Sequence, residues 1–321
     1  MAGAQIPDAF NHEPKGISNR MSSKFRNSIP SQHFPAEKGR YVVYVNYCCP
    51  WCHRVLIAHA LKGLEHIVEL VEVDSRTSAH GWWFSGRRGP DRDPVYGVKY
   101  IKELYLKADP QYAGRVTLPL LWDKKHETIA NNESGDIVRM FLEGFDEHLP
   151  PAEREVTKGS ASYVPRHILP EIDALNAWVY DHVNNGVYKT GFATNQASYD
   201  DHVQKLFQAL DRLEYHLSQP GHSPYLFGDR ITEADIRLFP TIVRFDVAYY
   251  SLFKCNLKMI RYEYPHLHAW LRRLYWSVDP QTAGGVFRST TSFDEIKRGY
   301  SSVVAGNGLI PAGPYPSIMP L

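Results

Sequence analysis

The chain has 321 residues, and its 36 Lys and Arg against 35 Asp and Glu leave a formal charge of +1. A balance this even argues against nucleic acid as a partner, because a polyanion footprint shows as a basic excess. The 20 Tyr, 14 Phe and 7 Trp supply enough apolar surface to exclude a disordered chain, and the length suits two domains of about 100–200 residues each. No window approaches the roughly 20 apolar residues of a membrane span. The opening MAGAQIPDAFNHEPKG has neither the basic start nor the apolar stretch of a secretory signal, and Asp8 and Glu13 weigh against a mitochondrial presequence. Three of the four cysteines crowd at Cys48, Cys49 and Cys52. That pattern fits one thiol site in a reducing, cytoplasmic setting better than a disulfide framework.

Residues 1–40 are polar and rich in Pro, Ser and Asn and are expected to form an extended arm. YVVYVNY at 41–47 is dense in β-branched and aromatic residues and predicts a buried strand. CCPWCHR follows directly, and VLIAHALKGL then predicts a helix that stops near Gly63. IVELVEV at 67–73 predicts a second strand, parallel to the first because a crossover helix joins them. An insert at 75–115, rich in Gly, Arg and Trp, interrupts the pattern. A loop of that length in a compact domain is usually functional. TLPLLW at 117–122 resumes strand character, a turn leads to a short strand at 128–130, and NNES at 131–134 opens a helix running to about 142. The expected fold is a βαβ-ββα thioredoxin-like domain over 41–148, a Pro- and charge-rich linker at 149–164, and an all-helical domain over 165–280. Helices are predicted at 167–184, 198–218, 233–253 and 265–277, and residues 281–321 are expected to run as an extended tail.

The chemistry concentrates at Cys49-Pro50-Trp51-Cys52. A thiolate is the reactive form of cysteine, and a helix start offers free N–H groups and partial positive charge. Pro50 suits the first turn, where an absent N–H loses nothing. Cys49 is therefore the expected N-cap thiol, with Cys52 one turn deeper. The run also matches the haem signature C-x-x-C-H, but no export signal accompanies it. A zinc site lacks a second ligand pair, since Cys255 stands alone, so no metal is expected. The strand–thiol–helix order favours a thioredoxin-like site. Two further features agree with it: Pro119 after Leu118, where such domains carry a cis-proline facing the thiol, and Glu133-Ser134 at a helix start able to hold an anion. In that order the three describe a surface for glutathione.

These stretches resemble the glutathione transferases, most closely the glutathionyl-hydroquinone reductases of the Xi class. The resemblance rests on CPWCHR at 49–54, the Gly81-Trp82 insert, RVTLPLLWD at 115–123, NNES at 131–134, NNGVYKTGFAT at 184–194, ITEADIRLF at 231–239 and RFDVAYYSLFKCN at 244–256. It implies an enzyme that removes glutathione from glutathionylated hydroquinones through a Cys49–glutathione mixed disulfide, with oxidised glutathione as by-product. It further implies Tyr188 as the acid that protonates the ring carbon, and Tyr249 and Tyr300 as pocket residues that tune the site. Glutathione, the co-substrate, would be held by Trp82, Arg115, Val116, Thr117, Leu118, Glu133 and Ser134. A homodimer is expected on the same ground. Thr232 and Asp235 read as a helix cap rather than as catalytic groups.

Two departures from the family stand out. Cys52 replaces its usual Ala and could resolve the mixed disulfide internally, but the favoured reading is an inert small hydrophobe, as a buried thiol can be. Around Tyr300 the text reads RGYSSV instead of the family's His- and aromatic-rich segment, which leaves that pocket wall open. Two alternatives stand beside the leading reading: an omega-like thioltransferase or dehydroascorbate reductase, and a transferase-like scaffold that binds ligands without turnover.

Overall fold

Five consecutive buried residues, YVVYV, form strand β1 (Tyr41–Val45). The computed structural model describes residues 23–304 and 309–321; residues 1–22 of the expected arm and 305–308 of the expected tail lie outside them. The described residues fall into two units that divide between Thr157 and Lys158, within the 149–164 stretch.

In the first unit, β1 leads to α1 (Pro50–Leu61), β2 (Glu69–Glu72), α2 (Ile101–Ala108), β3 (Leu120–Asp123), β4 (Thr128–Asn131) and α3 (Ser134–Arg139). The strands lie in the order β2-β1-β3-β4. β1 runs parallel to β2 and antiparallel to β3, which is antiparallel to β4. This is the thioredoxin-like arrangement that the sequence predicts. β1 is buried throughout because it is central and joined to a parallel neighbour, which requires helical cover. The Arg40 Nε donates to Asp123 Oδ1 at 2.9 Å inside the protein, which fastens the start of β1 to the end of β3.

The insert is more ordered than its composition suggests. It contains α2, and the hydroxyl of buried Tyr44 on β1 donates to buried Asp93 at 2.6 Å, so the insert is held against the sheet. The described part of the arm also has a fixed place. Asn27 N–H donates to the Ala130 carbonyl at 3.1 Å and Asn132 N–H to the Phe25 carbonyl at 3.0 Å, which extends the sheet edge beyond β4. The arm then passes Gly144, where a Cβ would come within 2.5 Å of the Ile29 carbonyl oxygen. Only glycine permits that approach.

A one-turn helix, α4 (Glu155–Lys158), stands at the division. The second unit is helical: α5 (Leu169–Val179), α6 (Gly186–Gly191), α7 (Gln196–Ser218), α8 (Glu233–Arg244), α9 (Tyr250–Leu252), α10 (Ile260–Glu263), α11 (Pro265–Trp276), α12 (Val286–Ser289) and α13 (Phe293–Val304). The stripe Leu206, Leu210, Leu213 and Leu217 on α7 is buried, as a core-facing helix requires. α3, α5 and α8 each continue into a π-helical turn, at Met140–Gly144, Tyr180–Asn184 and Phe245–Tyr249. No helix among the described residues is long and apolar enough to cross a membrane.

The C-terminal segment differs from its expected extended course. α12 and α13 occupy its first half, and the described residues 309–321 form no helix or strand. In α13 the acidic Asp294 and Glu295 lie in the first turn, where the helix dipole favours them, and Ile296 and Tyr300 bury one face at a four-residue spacing.

Asp235 caps α8 as its sequence context suggests, and it does more. Its fully buried carboxylate accepts the Thr232 N–H at 2.9 Å, the Leu226 N–H at 3.1 Å and the Trp270 indole N–H at 2.8 Å. Asp235→Ala strands three buried donors and is expected to lower stability by about 3 kcal/mol. Urea unfolding followed by tryptophan fluorescence checks this; a change below a third of that size contradicts the assignment.

Candidate active site

The thiol is positioned by a three-residue turn after β1. Asn46 Oδ1 accepts the Cys49 N–H at 2.8 Å, and the Cys49 carbonyl accepts the His53 N–H at 3.0 Å, opening the helix. Cys49 is the N-cap of α1, with extended backbone and Pro50 in the first turn. Its side chain is half-buried, and its Sγ lies 3.8 Å from the Leu118 carbonyl oxygen. Cys52, one turn along, is fully buried. Burial pushes its thiol well up, and its hydrogen bond with Cys49 adds to that. Burial therefore disfavours the thiolate of Cys52. Cys48 is buried as well. Among the described residues, no three His, Cys, Asp or Glu side chains are grouped to hold a metal ion.

The segment facing Cys49 belongs to the lead-in of β3. The Leu118–Pro119 bond is cis. Two tyrosines that the sequence reading did not single out hold this segment. Tyr105 on α2 donates its hydroxyl to the Thr117 carbonyl at 2.9 Å, and Tyr112 donates to the Arg115 carbonyl at 2.7 Å. Asn132 Nδ2 in turn donates to the Tyr105 hydroxyl at 3.1 Å. Residues 115–118 and the head of α3 are thus linked through one buried phenol, which burial pushes up in pKa. No sequence motif marks that link.

Glu133 is the N-cap of α3. Its Oε1 accepts the Gly135 N–H at 3.3 Å and the Ser134 hydroxyl at 3.4 Å, and its own N–H donates to Asn131 Oδ1 at 2.7 Å. The Ser134 hydroxyl, expected to face a ligand, is turned onto Glu133. Trp82 is buried on the insert, and its carbonyl accepts the Ile101 N–H at 3.0 Å. Arg115 and Val116 are half-buried.

The helical unit brings its three predicted tyrosines together. The Tyr188 and Tyr300 hydroxyl oxygens are 2.7 Å apart, and those of Tyr249 and Tyr300 are 2.8 Å apart. Tyr249 and Tyr300 are buried, while Tyr188 is half-buried at the end of the chain of hydroxyls. Phe253 packs edge-on against Tyr188 at 5.4 Å and Tyr300 at 5.3 Å, an arrangement aromatic pairs favour. Gly191 in the NNGVYKTGF run makes room for this ring, because a Cβ there would fall 2.4 Å from Phe253 Cγ. Although the sequence around Tyr300 departs from the family text, its hydroxyl still joins the cluster.

The glutathione S-transferase N-terminal domain family matches residues 48–143, and the corresponding C-terminal domain family matches residues 196–273. The chain is 44% identical over 308 residues to glutathione S-transferase omega-like 2 of Schizosaccharomyces pombe, covering 94% of this chain and 95% of that one. It is 41% identical over 313 residues to glutathionyl-hydroquinone reductase YqjG of Escherichia coli, covering 94% and 90%. Among solved structures, the Xi glutathione transferase ECM4 from Saccharomyces cerevisiae in complex with glutathione superposes with a TM-score of 0.85 at 37% identity, covering 94% of this chain and 98% of that one. Thiol turn, thioredoxin-like sheet and helical second unit thus coincide with relatives aligned over nearly their whole length, and the chain belongs to the Xi-class glutathione transferases, the enzyme group that includes the glutathionyl-hydroquinone reductases.

Proposed function

We propose that the protein reduces glutathionyl-hydroquinones to hydroquinones, using glutathione as the reductant. The observation that carries this reading is the Cys49 sulfur: half-buried at a helix start and 3.8 Å from the carbonyl that precedes a cis-proline. An N–H-rich helix start favours the thiolate, and the backbone of Leu118 can pair with a peptide-like ligand beside it.

In the first step the Cys49 thiolate attacks the sulfur of the aryl thioether. A Cys49–glutathione disulfide forms, the carbon–sulfur bond breaks, and the aryl carbon takes the electron pair and a proton from Tyr188. In the second step the thiolate of a free glutathione attacks the mixed disulfide, releasing oxidised glutathione and restoring Cys49. The ring carbon is reduced, two sulfurs are oxidised, and the proton of the second glutathione thiol balances the one Tyr188 gave up. Tyr300, bonded to Tyr188 and Tyr249, holds the Tyr188 hydroxyl in one orientation. Residues 115–118, Glu133, Ser134 and Trp82 hold the tripeptide. Cys52 takes no covalent part, since a buried protonated thiol is a poor nucleophile.

The omega-like name of the fission-yeast relative keeps simple thiol exchange as a second reading, and the variants separate the two. Cys49→Ser is expected to abolish reduction of a glutathionylated hydroquinone in a steady-state assay, while Cys52→Ala retains most of it; loss in the second variant contradicts the monothiol route. Tyr188→Phe is expected to slow hydroquinone release by about a hundredfold, the usual worth of a general acid, and to leave reduction of a small mixed disulfide nearly unchanged. Equal loss in both assays would remove Tyr188 from the acid role.

A further inference from the structure

The arm before β1 touches Glu133, which the proposed function assigns to glutathione, and the two phenols that hold residues 115–118. Asn132 N–H donates to the Phe25 carbonyl at 3.0 Å, and Arg26 makes two bonds to Asp136 at 2.8 and 2.7 Å. The Phe25 ring lies against Tyr105 at 6.1 Å and Tyr112 at 5.8 Å, the two phenols that hold residues 115–118. Lys24 pairs with Asp109 just beyond α2. At the start of this segment, Ser23 Oγ donates to Glu133 Oε2 at 3.2 Å, with the Asn132 carbonyl at 3.4 Å as a second acceptor.

Glu133 is thereby held from both sides. The Gly135 N–H and the Ser134 hydroxyl hold its Oε1, and Ser23 holds its Oε2. A glutamate fixed in this way needs no further ordering when a cation arrives, so its binding energy is not spent on freezing the side chain. A carboxylate oxygen keeps lone pairs for a second donor after accepting one hydrogen bond. Glutathione carries a single cation at neutral pH, the α-ammonium of its γ-glutamyl residue.

We propose that the arm is part of the glutathione site, and that Ser23 is a positioning residue that orients Glu133 toward the γ-glutamyl ammonium. This rests on the glutathione-binding reading above. The reading and the role of Ser23 are separable by experiment.

The test uses the full chain with Ser23→Ala and Ser23→Thr. Reduced glutathione binding is measured by isothermal titration calorimetry, and turnover is measured against glutathione concentration. Ser23→Ala is expected to weaken glutathione about three- to tenfold, to raise KM for glutathione by the same factor, and to leave kcat at saturating glutathione unchanged. Ser23→Thr, which keeps the hydroxyl, is expected to restore wild-type affinity. An unchanged or tighter affinity in Ser23→Ala, a fall in kcat without a rise in KM, or a Thr variant as weak as the Ala variant overturns the proposal. Wild-type protein that does not bind glutathione overturns the proposed function and this inference together. Wild-type binding with an unaffected Ala variant overturns the inference alone.

Discussion

The pairing of β1 with β3 is the constraint on which the thiol site depends. Tyr44 stands opposite Leu120 in that antiparallel register. Continuing past the paired residues, the chain leaving β1 and the chain entering β3 lie side by side, and this brings Cys49 to the Leu118 carbonyl. The parallel pairing of β1 with β2 supplies the other half of the geometry. It requires a crossover, the crossover is α1, and its first turn must follow the end of β1. One central strand with two differently directed neighbours thus sets a helix N-terminus against a strand entry. The geometry of that junction follows from fold topology, and the side chain it places there is Cys49.

The two thiols of CPWC are alike in sequence but not in surroundings. Cys49 is half-buried at the helix edge, whereas Cys52 is closed in on all sides and hydrogen-bonded to its neighbour. Burial disfavours a charged sulfur. The same burial that makes Cys52 a packing residue therefore disfavours its thiolate. In the helical unit, Tyr188, Tyr300 and Tyr249 form a chain of hydroxyls whose inner members are buried and whose end is accessible. Such a chain holds the terminal hydroxyl oxygen in a fixed place.

Much of the site was legible in the sequence, for identifiable reasons. YVVYVNY followed by a cysteine and a proline carries strand, turn and helix start in one short run. Pro119 and NNES fall where the sheet order requires them. The tyrosines were found through the family resemblance and not through spacing, since Tyr188, Tyr249 and Tyr300 are far apart in the chain and meet only through packing. What stayed hidden depends on non-local contacts. Nothing in the text of residues 23–27 announces that they extend the sheet beside β4. The Tyr105 hydroxyl reaches Thr117 and Asn132 only once α2 is folded against β4. The π turns at Tyr180–Asn184 and Phe245–Tyr249 have no composition of their own. α13 was obscured because Gly299 and two serines dilute its apolar stripe, and the helix is held by burial of Ile296 and Tyr300 instead of by propensity.

The proposed reaction requires a single sulfur acting alone. Incubating the protein with oxidised glutathione and mapping the products by peptide mass spectrometry tests this most directly. One glutathione joined to Cys49, with Cys52 recovered as a free thiol, is the predicted result. A bridge between Cys49 and Cys52, or a Cys49 that stays unmodified, contradicts it.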